Sequence, residues 1–369
     1  MNIAFYAPMK PPTSPRPSGD RTIARLLMRA LEAGGADVRI ASETRTWSGV
    51  ADPDRLLNVQ KAGELERKRL VALYGSRTAT FRPDIWFTYH NHYKAPDFLG
   101  PAVSRELGIP YVIAEASYAA SRADGPWADW LRHTRAGIEA ARLIFSFTKR
   151  DEEGLRAIVP SRRLRRLAPF IGDVPSQSAR DLQAPGDPVR LVAVAMMRRG
   201  ATEKSYRLLA DALGRLSHRN WELDVVGDGE AFDELRELLG AIAGDRATLH
   251  GKLEGPPLAR VLARGDVFVW PGIEEAFGMA YLEAQAHGLA VAACDTAGVS
   301  EVVRDGETGL LAREVTPSAY AAVVDRLIAS GQLRRDLGER ARRHVMERHS
   351  VEVAARILQA ELAGLCTRG

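Results

Sequence analysis

The feature that most constrains the fold of this chain is an alternation of short apolar runs with longer amphipathic ones, sustained along its length. Ile3 to Ala7, Val38 to Ala41, Ile85 to Tyr89, Tyr111 to Ala114 and Leu143 to Phe147 have the length of strands. Helical stretches lie between them, from about Thr22 to Ala33, Pro96 to Leu107 and Trp127 to Ala141. Apolar runs without a period of two suit strands buried on both faces, and parallel strands need crossovers, usually helical. The expectation is an α/β fold with parallel sheets. From Asp173 to Pro188 the sequence DVPSQSARDLQAPGDP is polar, Pro-bearing and without hydrophobic period, and reads as a linker. A second series then begins, with Val189 to Ala195, Leu223 to Val226, Ala247 to His250, Val267 to Trp270 and Leu289 to Ala293. The divisions are a first domain over 1–172, a linker over 173–188, a second domain over 189–348 and a final amphipathic helix within 349–369. At 369 residues each domain has enough chain for its own core.

Charge is unevenly distributed along this chain. Residues 1–172 carry 27 Lys and Arg against 18 Asp and Glu, while the remainder carries 24 against 29, so a balance of +9 precedes one of −5. A basic first half suits an anionic membrane or an anionic glycan, although a scattered solvated face gives the same count. A nucleic-acid role is disfavoured, because no zinc-finger, helix-turn-helix or aromatic-interleaved basic pattern occurs. No apolar run reaches membrane-spanning length and NIAFYA enters a strand directly, so the expected location is cytoplasmic, with peripheral contact at the inner membrane face allowed. Cys294 and Cys366 fit neither a disulfide scaffold nor a metal site, and Cys294 reads as a buried thiol.

The segment EAFGMAYLE, Glu275 to Glu283, carries the chemistry. Pro271 and Gly272 end a strand just upstream, so Glu275 is expected in a loop and Glu283 on the helix that follows. Backbone N–H groups around Phe277, Gly278 and Met279 would open that helix and favour an anion such as pyrophosphate. A nucleotide sugar has the matching parts: diphosphate at the helix end, ribose diol at Glu283 and hexose hydroxyls at Glu275. The spacing alone equally describes an amphipathic helix with two solvated glutamates.

The surrounding motifs weigh against that plainer reading. From about Leu191 to Glu301 the chain shows the E-x7-E element, MMRRGATEK after a strand, VVGDGE, LHGKL and GVSEVVRDGETGLLA in order. In these it resembles the retaining nucleotide-sugar glycosyltransferases of the family 4-like group, which includes sucrose synthase and bacterial mannosyltransferases of lipid glycosylation. The resemblance implies the GT-B fold, two facing Rossmann-like domains with a central cleft, and a final helix that returns to the first domain. It implies that Arg199 and Lys204 clamp the diphosphate and neutralise the leaving group without a metal, with Arg198 as a substitute for Arg199. Gly227, and Gly251, Lys252 and Leu253, would meet the nucleotide through backbone groups. Asp52-Pro53-Asp54 reads as loop chemistry and not as a metal site.

In the first domain Gly19 precedes a helical start, and Asp20 stands where many relatives carry a second glycine, so that Asp20 reads as a helix N-cap. His90 and His92 close the strand DIWFTYH without a third metal ligand nearby. Glu115 occupies the place where relatives usually have a donor-contacting histidine, and Glu115 or His92 is a candidate replacement. The function these features imply is transfer of a hexose, with retention, from a nucleoside diphosphate sugar to a lipid-linked or oligosaccharide acceptor in bacterial envelope glycan or glycolipid synthesis. A nucleotide-sugar epimerase of similar fold and a catalytically silent scaffold are the alternatives.

Overall fold

The computed structural model describes residues 1–175 and 186–366, so residues 176–185 of the expected linker lie outside the described part. The chain divides into two compact units, Met1–Ala168 together with the final helix, and Pro169–Ser350.

The first unit runs β1 (Asn2–Tyr6), α1 (Gly19–Ala33), β2 (Asp37–Ser42), α2 (Pro53–Gly75), β3 (Ile85–Asn91), α3 (Gly100–Leu107), β4 (Tyr111–Ala116), α4 (Ala128–Ala140), β5 (Leu143–Ser146), α5 (Lys149–Arg156) and β6 (Leu164–Arg166). Its six strands are parallel in the order β2-β1-β3-β4-β5-β6. Ile3, Phe5, Trp86, Phe87, Ile113 and Ile144 have no exposed surface, as continuous apolar strands covered on both faces require.

Two local readings of the sequence are corrected here. Asp52-Pro53-Asp54 is not a loop but the start of the long helix α2: Asp52 Oδ1 accepts from the N–H groups of Asp54 (2.8 Å) and Arg55 (3.1 Å), and Pro53 takes the first helical position. That helix was hidden because only a thin stripe, including Leu56, Val59, Gly63, Leu70 and Tyr74, is buried. Helix α3 begins at Gly100 and not near Pro96, since the preceding turn is organised by Asp97. Its Oδ1 accepts from Leu99 N and Gly100 N, both at 2.8 Å, while Oδ2 accepts from the hydroxyls of Thr88 (2.5 Å) and Tyr111 (2.9 Å).

The second unit runs β7 (Val189–Val194), α6 (Ala201–Gly214), β8 (Trp221–Val226), α7 (Phe232–Ala243), β9 (Ala247–Leu249), α8 (Pro256–Arg264), β10 (Val267–Val269), α9 (Met279–Ala286), β11 (Ala290–Cys294), β12 (Gly309–Ala312), α10 (Pro317–Ala329) and α11 (Gly331–Arg348). Its six parallel strands are ordered β12-β11-β10-β7-β8-β9. Strand β12 gives no period in the sequence, because it is only four residues long. The last helix, α12 (Val351–Cys366), lies against α1 in the first unit and buries Val351, Ala354, Ala355, Leu358 and Leu362; Glu361 pairs with Arg165 at 2.7 Å.

Candidate active site

Open parallel sheets bind ligands beyond the carboxyl ends of strands, where the strand order reverses. In the second unit that point lies between β7 and β10. The loop after β7 carries Arg198 and Arg199, and α6 just beyond carries Lys204; the loop after β10 carries Glu275. The topology therefore brings these residues, far apart in sequence, to one end of one sheet.

Glu275 lies in the loop and Glu283 on α9, as Pro271 and Gly272 upstream predict. The loop is held on several sides. Ile273 N donates to Ser205 Oγ of α6 at 3.0 Å, Gly298 N donates to Glu275 O at 3.0 Å, and Trp270 Nε1 donates to Glu275 Oε1 at 3.4 Å. Trp270 is itself fixed, its carbonyl accepting from the Tyr281 hydroxyl at 2.9 Å and its ring meeting Tyr206 edge to face. Gly298 approaches so closely that a Cβ there would fall 1.5 Å from Ala276 O. Phe277 is buried beneath the loop, and Gly278 takes a left-handed φ of 72° at the head of α9, a conformation glycine adopts without strain. No side-chain hydrogen bond caps α9, whose first turn at Met279 presents backbone donors and the positive end of the helix.

Both carboxyls are out of their ordinary range because both are withdrawn from water. Burial raises Glu275, partly offset by the Trp270 hydrogen bond, and burial alone lifts Glu283 to about 7. The Glu283 carboxylate makes no hydrogen bond or ion pair with any described residue. Withdrawing a carboxyl from water is costly unless donors replace the water, and two half-buried ones, of which Glu275 has the Trp270 donor and Glu283 none, beside an uncapped helix end suit a ligand rich in hydroxyls.

The basic residues are less ready. Arg199 forms a fork to Glu234, with Nη1 to Oε2 at 2.6 Å, reaches Glu203 at 3.3 Å, and its backbone N donates to Glu230 at 2.9 Å. Lys204 Nζ stands 3.8 Å from Glu274, whose φ of 58° is itself left-handed. Arg198 is exposed and has no side-chain partner among the described residues. Gly227 N donates to Gly251 O at 2.9 Å, which ties the turn after β8 to that after β9, while Lys252 turns to Glu254 at 3.0 Å and Leu253 is half-buried.

In the first unit the strand order reverses between β1 and β3, and Gly19, Asp20 and His90 gather there. Asp20 is not an N-cap: Ser18 caps α1 by accepting from Arg21 N at 3.2 Å, because the helix begins at Gly19, earlier than the apolar pattern indicates. Asp20 Oδ1 instead meets His90 Nδ1 at 2.8 Å. Nothing lies near the position of a Gly19 Cβ. Burial opposes protonation of His90, but Glu115 and Asp20 outweigh it and hold the imidazole up at about 9. His92, depressed to about 3 by burial and by His90, turns Nδ1 to accept from Lys94 N at 3.1 Å. Both His90 and Glu115 have left-handed φ values, 62° and 61°, the kind of backbone strain that collects at functional sites. Sequence reasoning missed Ser205, Trp270 and Gly298, which hold the Glu275 loop. Gly298 had a signal, since it opens GVSEVV, but its contact with the Glu275 loop is long-range.

A six-stranded parallel sheet in each unit, with charged and polar side chains at both switch points, matches the GT-B fold, an assignment that structural comparison supports. Sucrose-phosphate synthase from Thermosynechococcus elongatus superposes with a TM-score of 0.74 at 22% identity over 100% of both chains. HepE from Anabaena in complex with UDP and glucose gives 0.71 at 16% identity, over 99% of this chain and 100% of that one. Residues 180–344 match the family described as Glycosyl transferases group 1. A GDP-mannose-dependent alpha-mannosyltransferase of Mycolicibacterium smegmatis is 32% identical over 73% of this chain and 70% of its own length. Alpha-D-kanosaminyltransferase of Streptomyces kanamyceticus is 27% identical over 71% and 72% respectively. The chain belongs to the group 1 glycosyltransferases.

Proposed function

We propose that the protein transfers a hexose, with retention of configuration, from a nucleoside diphosphate sugar to a lipid-linked or oligosaccharide acceptor in bacterial envelope glycan or glycolipid synthesis. The observation that carries this reading is the pair Glu275 and Glu283, two half-buried carboxyls without a basic partner, flanking the uncapped start of α9. Such carboxyls are satisfied by hydroxyl donors, and the helix end between them by a diphosphate. Glu283 then holds the ribose diol and Glu275 the hexose. Lys204, with Arg199 released from Glu234 or with Arg198 in its place, neutralises the departing diphosphate, so that no metal is needed. The chain's own residues thus act by positioning and electrostatic stabilisation. HepE, solved with UDP and glucose, supplies the analogy for the donor.

Calorimetry on two variants tests the assignment. Glu283→Ala is expected to weaken both UDP or GDP and the intact nucleotide sugar, whereas Glu275→Ala spares the free diphosphate and weakens only the sugar-bearing ligand. Equal losses in both variants, or failure of the wild type to bind any nucleoside diphosphate, would reject it.

A further inference from the structure

The switch point of the first unit carries ionisable groups that the donor site does not use. Asp20 is paired with His90 at 2.8 Å and also feels Lys10. Asp151, in the first turn of α5, accepts from the hydroxyls of Ser117 (2.9 Å) and Thr148 (2.5 Å) and from no cation in those contacts. Glu115 at the end of β4 faces His90, Asp151 and Asp20, with the Tyr89 hydroxyl beside it. Its Oε2 is buried and makes no hydrogen bond. Lys94 and Arg122 act on His92. Of the three carboxylates, Glu115 is thus the one with a buried oxygen lacking a donor, and His90, its Nδ1 committed to Asp20, has Nε2 left to donate.

We propose that Glu115 and His90 form an acceptor-recognition site that selects a protonated amine next to a hydroxyl. The inference rests on the glycosyltransfer reading and deepens it by naming the chemistry of the acceptor. Burial raises the Glu115 carboxyl and the His90 imidazolium opposes that rise; an ammonium beside it favours the ionised form further and donates to it, a charge-assisted bond that a neutral hydroxyl or an amide cannot equal. The neighbouring hydroxyl oxygen accepts from His90 Nε2. An anionic group at the same place meets Glu115, Asp20 and Asp151 together, three carboxyls against the single imidazolium of His90, and like charges disfavour it. The site is within reach of solvent, since the side chains of His90 and Asp20 keep 14% and 31% of their surface exposed. Glu115 as a residue is only partly buried, and the proposal requires a rotation about its side-chain bonds that turns Oε2 toward the ligand.

The test uses the full chain and four probes in separate titrations: glucosamine, N-acetylglucosamine, glucose 6-phosphate and UDP. Glucosamine is expected to bind about tenfold or more tightly than either N-acetylglucosamine or the sugar phosphate near neutral pH, the scale of one charge-assisted bond. Glu115→Gln should abolish the preference while UDP affinity stays as in the wild type, which reports an intact fold. Equal or tighter binding of glucose 6-phosphate, no binding of glucosamine, or an amine preference that survives in Glu115→Gln overturns the proposal. The wild-type series decides it even where the variant does not fold. Failure of the wild type to bind either UDP or, in a further titration, GDP would instead count against the glycosyltransfer reading, whatever the amine result.

Discussion

Glu283 is the residue whose environment makes the sharpest demand on the rest of the protein. Its carboxyl titrates at about 7 in the folded state against an ordinary 4.5, so the native protein binds the extra proton between those values. Stability linked to this group is fully present below about pH 4.5 and is lost as pH rises through about 7. Glu283→Gln is therefore expected to leave stability nearly unchanged at pH 4.5 and to stabilise by on the order of 3 kcal/mol above pH 8. Denaturant midpoints of both proteins across that range check it, and a constant difference between them would mean that the carboxyl is solvated in the folded chain. For the clamp, Lys204→Ala or Arg199→Ala should lower turnover about 100-fold with the fold intact, because each removes charge that stabilises the departing diphosphate. Activity should also survive excess EDTA; an absolute need for magnesium or manganese would remove the metal-free clamp. The glutamates were legible in the sequence because loop and helix are local. The fork from Arg199 to Glu234 was not, because 35 residues separate partners that only the α6–α7 packing brings together.

At the scale of elements, the site depends on how the turn after β11 supports the loop after β10. Gly298 has an ordinary φ of −99°, so alanine is conformationally acceptable there, and the obstacle is the Ala276–Phe277 peptide, whose carbonyl oxygen falls 1.5 Å and whose nitrogen 3.2 Å from the new Cβ. Gly298→Ala should displace Glu275 and the start of α9, and reduce kcat/KM on the order of 100-fold, as a misplacement of about 1 Å at a reacting centre can. Steady-state kinetics with circular dichroism as a control checks this, and a variant of full activity would show the loop to be indifferent to its support. The same comparison explains what could be read beforehand. Central strands such as β1 and β3 announced themselves through continuous burial of Ile3 to Tyr6 and Ile85 to Tyr89. Helix α2 did not, because its 23 residues bury only a narrow stripe, and its start lay in an Asp-Pro-Asp that has a turn as its simplest local reading. Asp20 was misread as a cap for a related reason. The true cap, Ser18, lies upstream of the first buried residue of α1, Ile23, where hydrophobic pattern gives no signal.

Over the whole molecule, charge separates two tasks. Residues 1–172 carry the +9 balance although the interior of their sheet end holds Asp20, Glu115 and Asp151, so the positive excess lies elsewhere, on surface residues. No helix among the described residues is long and apolar enough to cross a membrane. If the acceptor is carried by an anionic membrane, the basic surface brings the protein to it while the acidic group at the switch point selects what is glycosylated. Attraction of that kind acts over about 8 Å at physiological ionic strength, the Debye length, and is screened beyond it. Binding of the full chain to vesicles is therefore expected to require anionic lipid, to add about 1 kcal/mol for each Lys or Arg near the surface, and to fall steeply as salt is raised. Cosedimentation with vesicles of phosphatidylglycerol and phosphatidylcholine in varied ratio measures both dependences. A protein that ignores anionic vesicles at low salt, yet glycosylates a water-soluble acceptor at full rate, would take the membrane out of the proposal and leave a transferase of free oligosaccharides or small molecules.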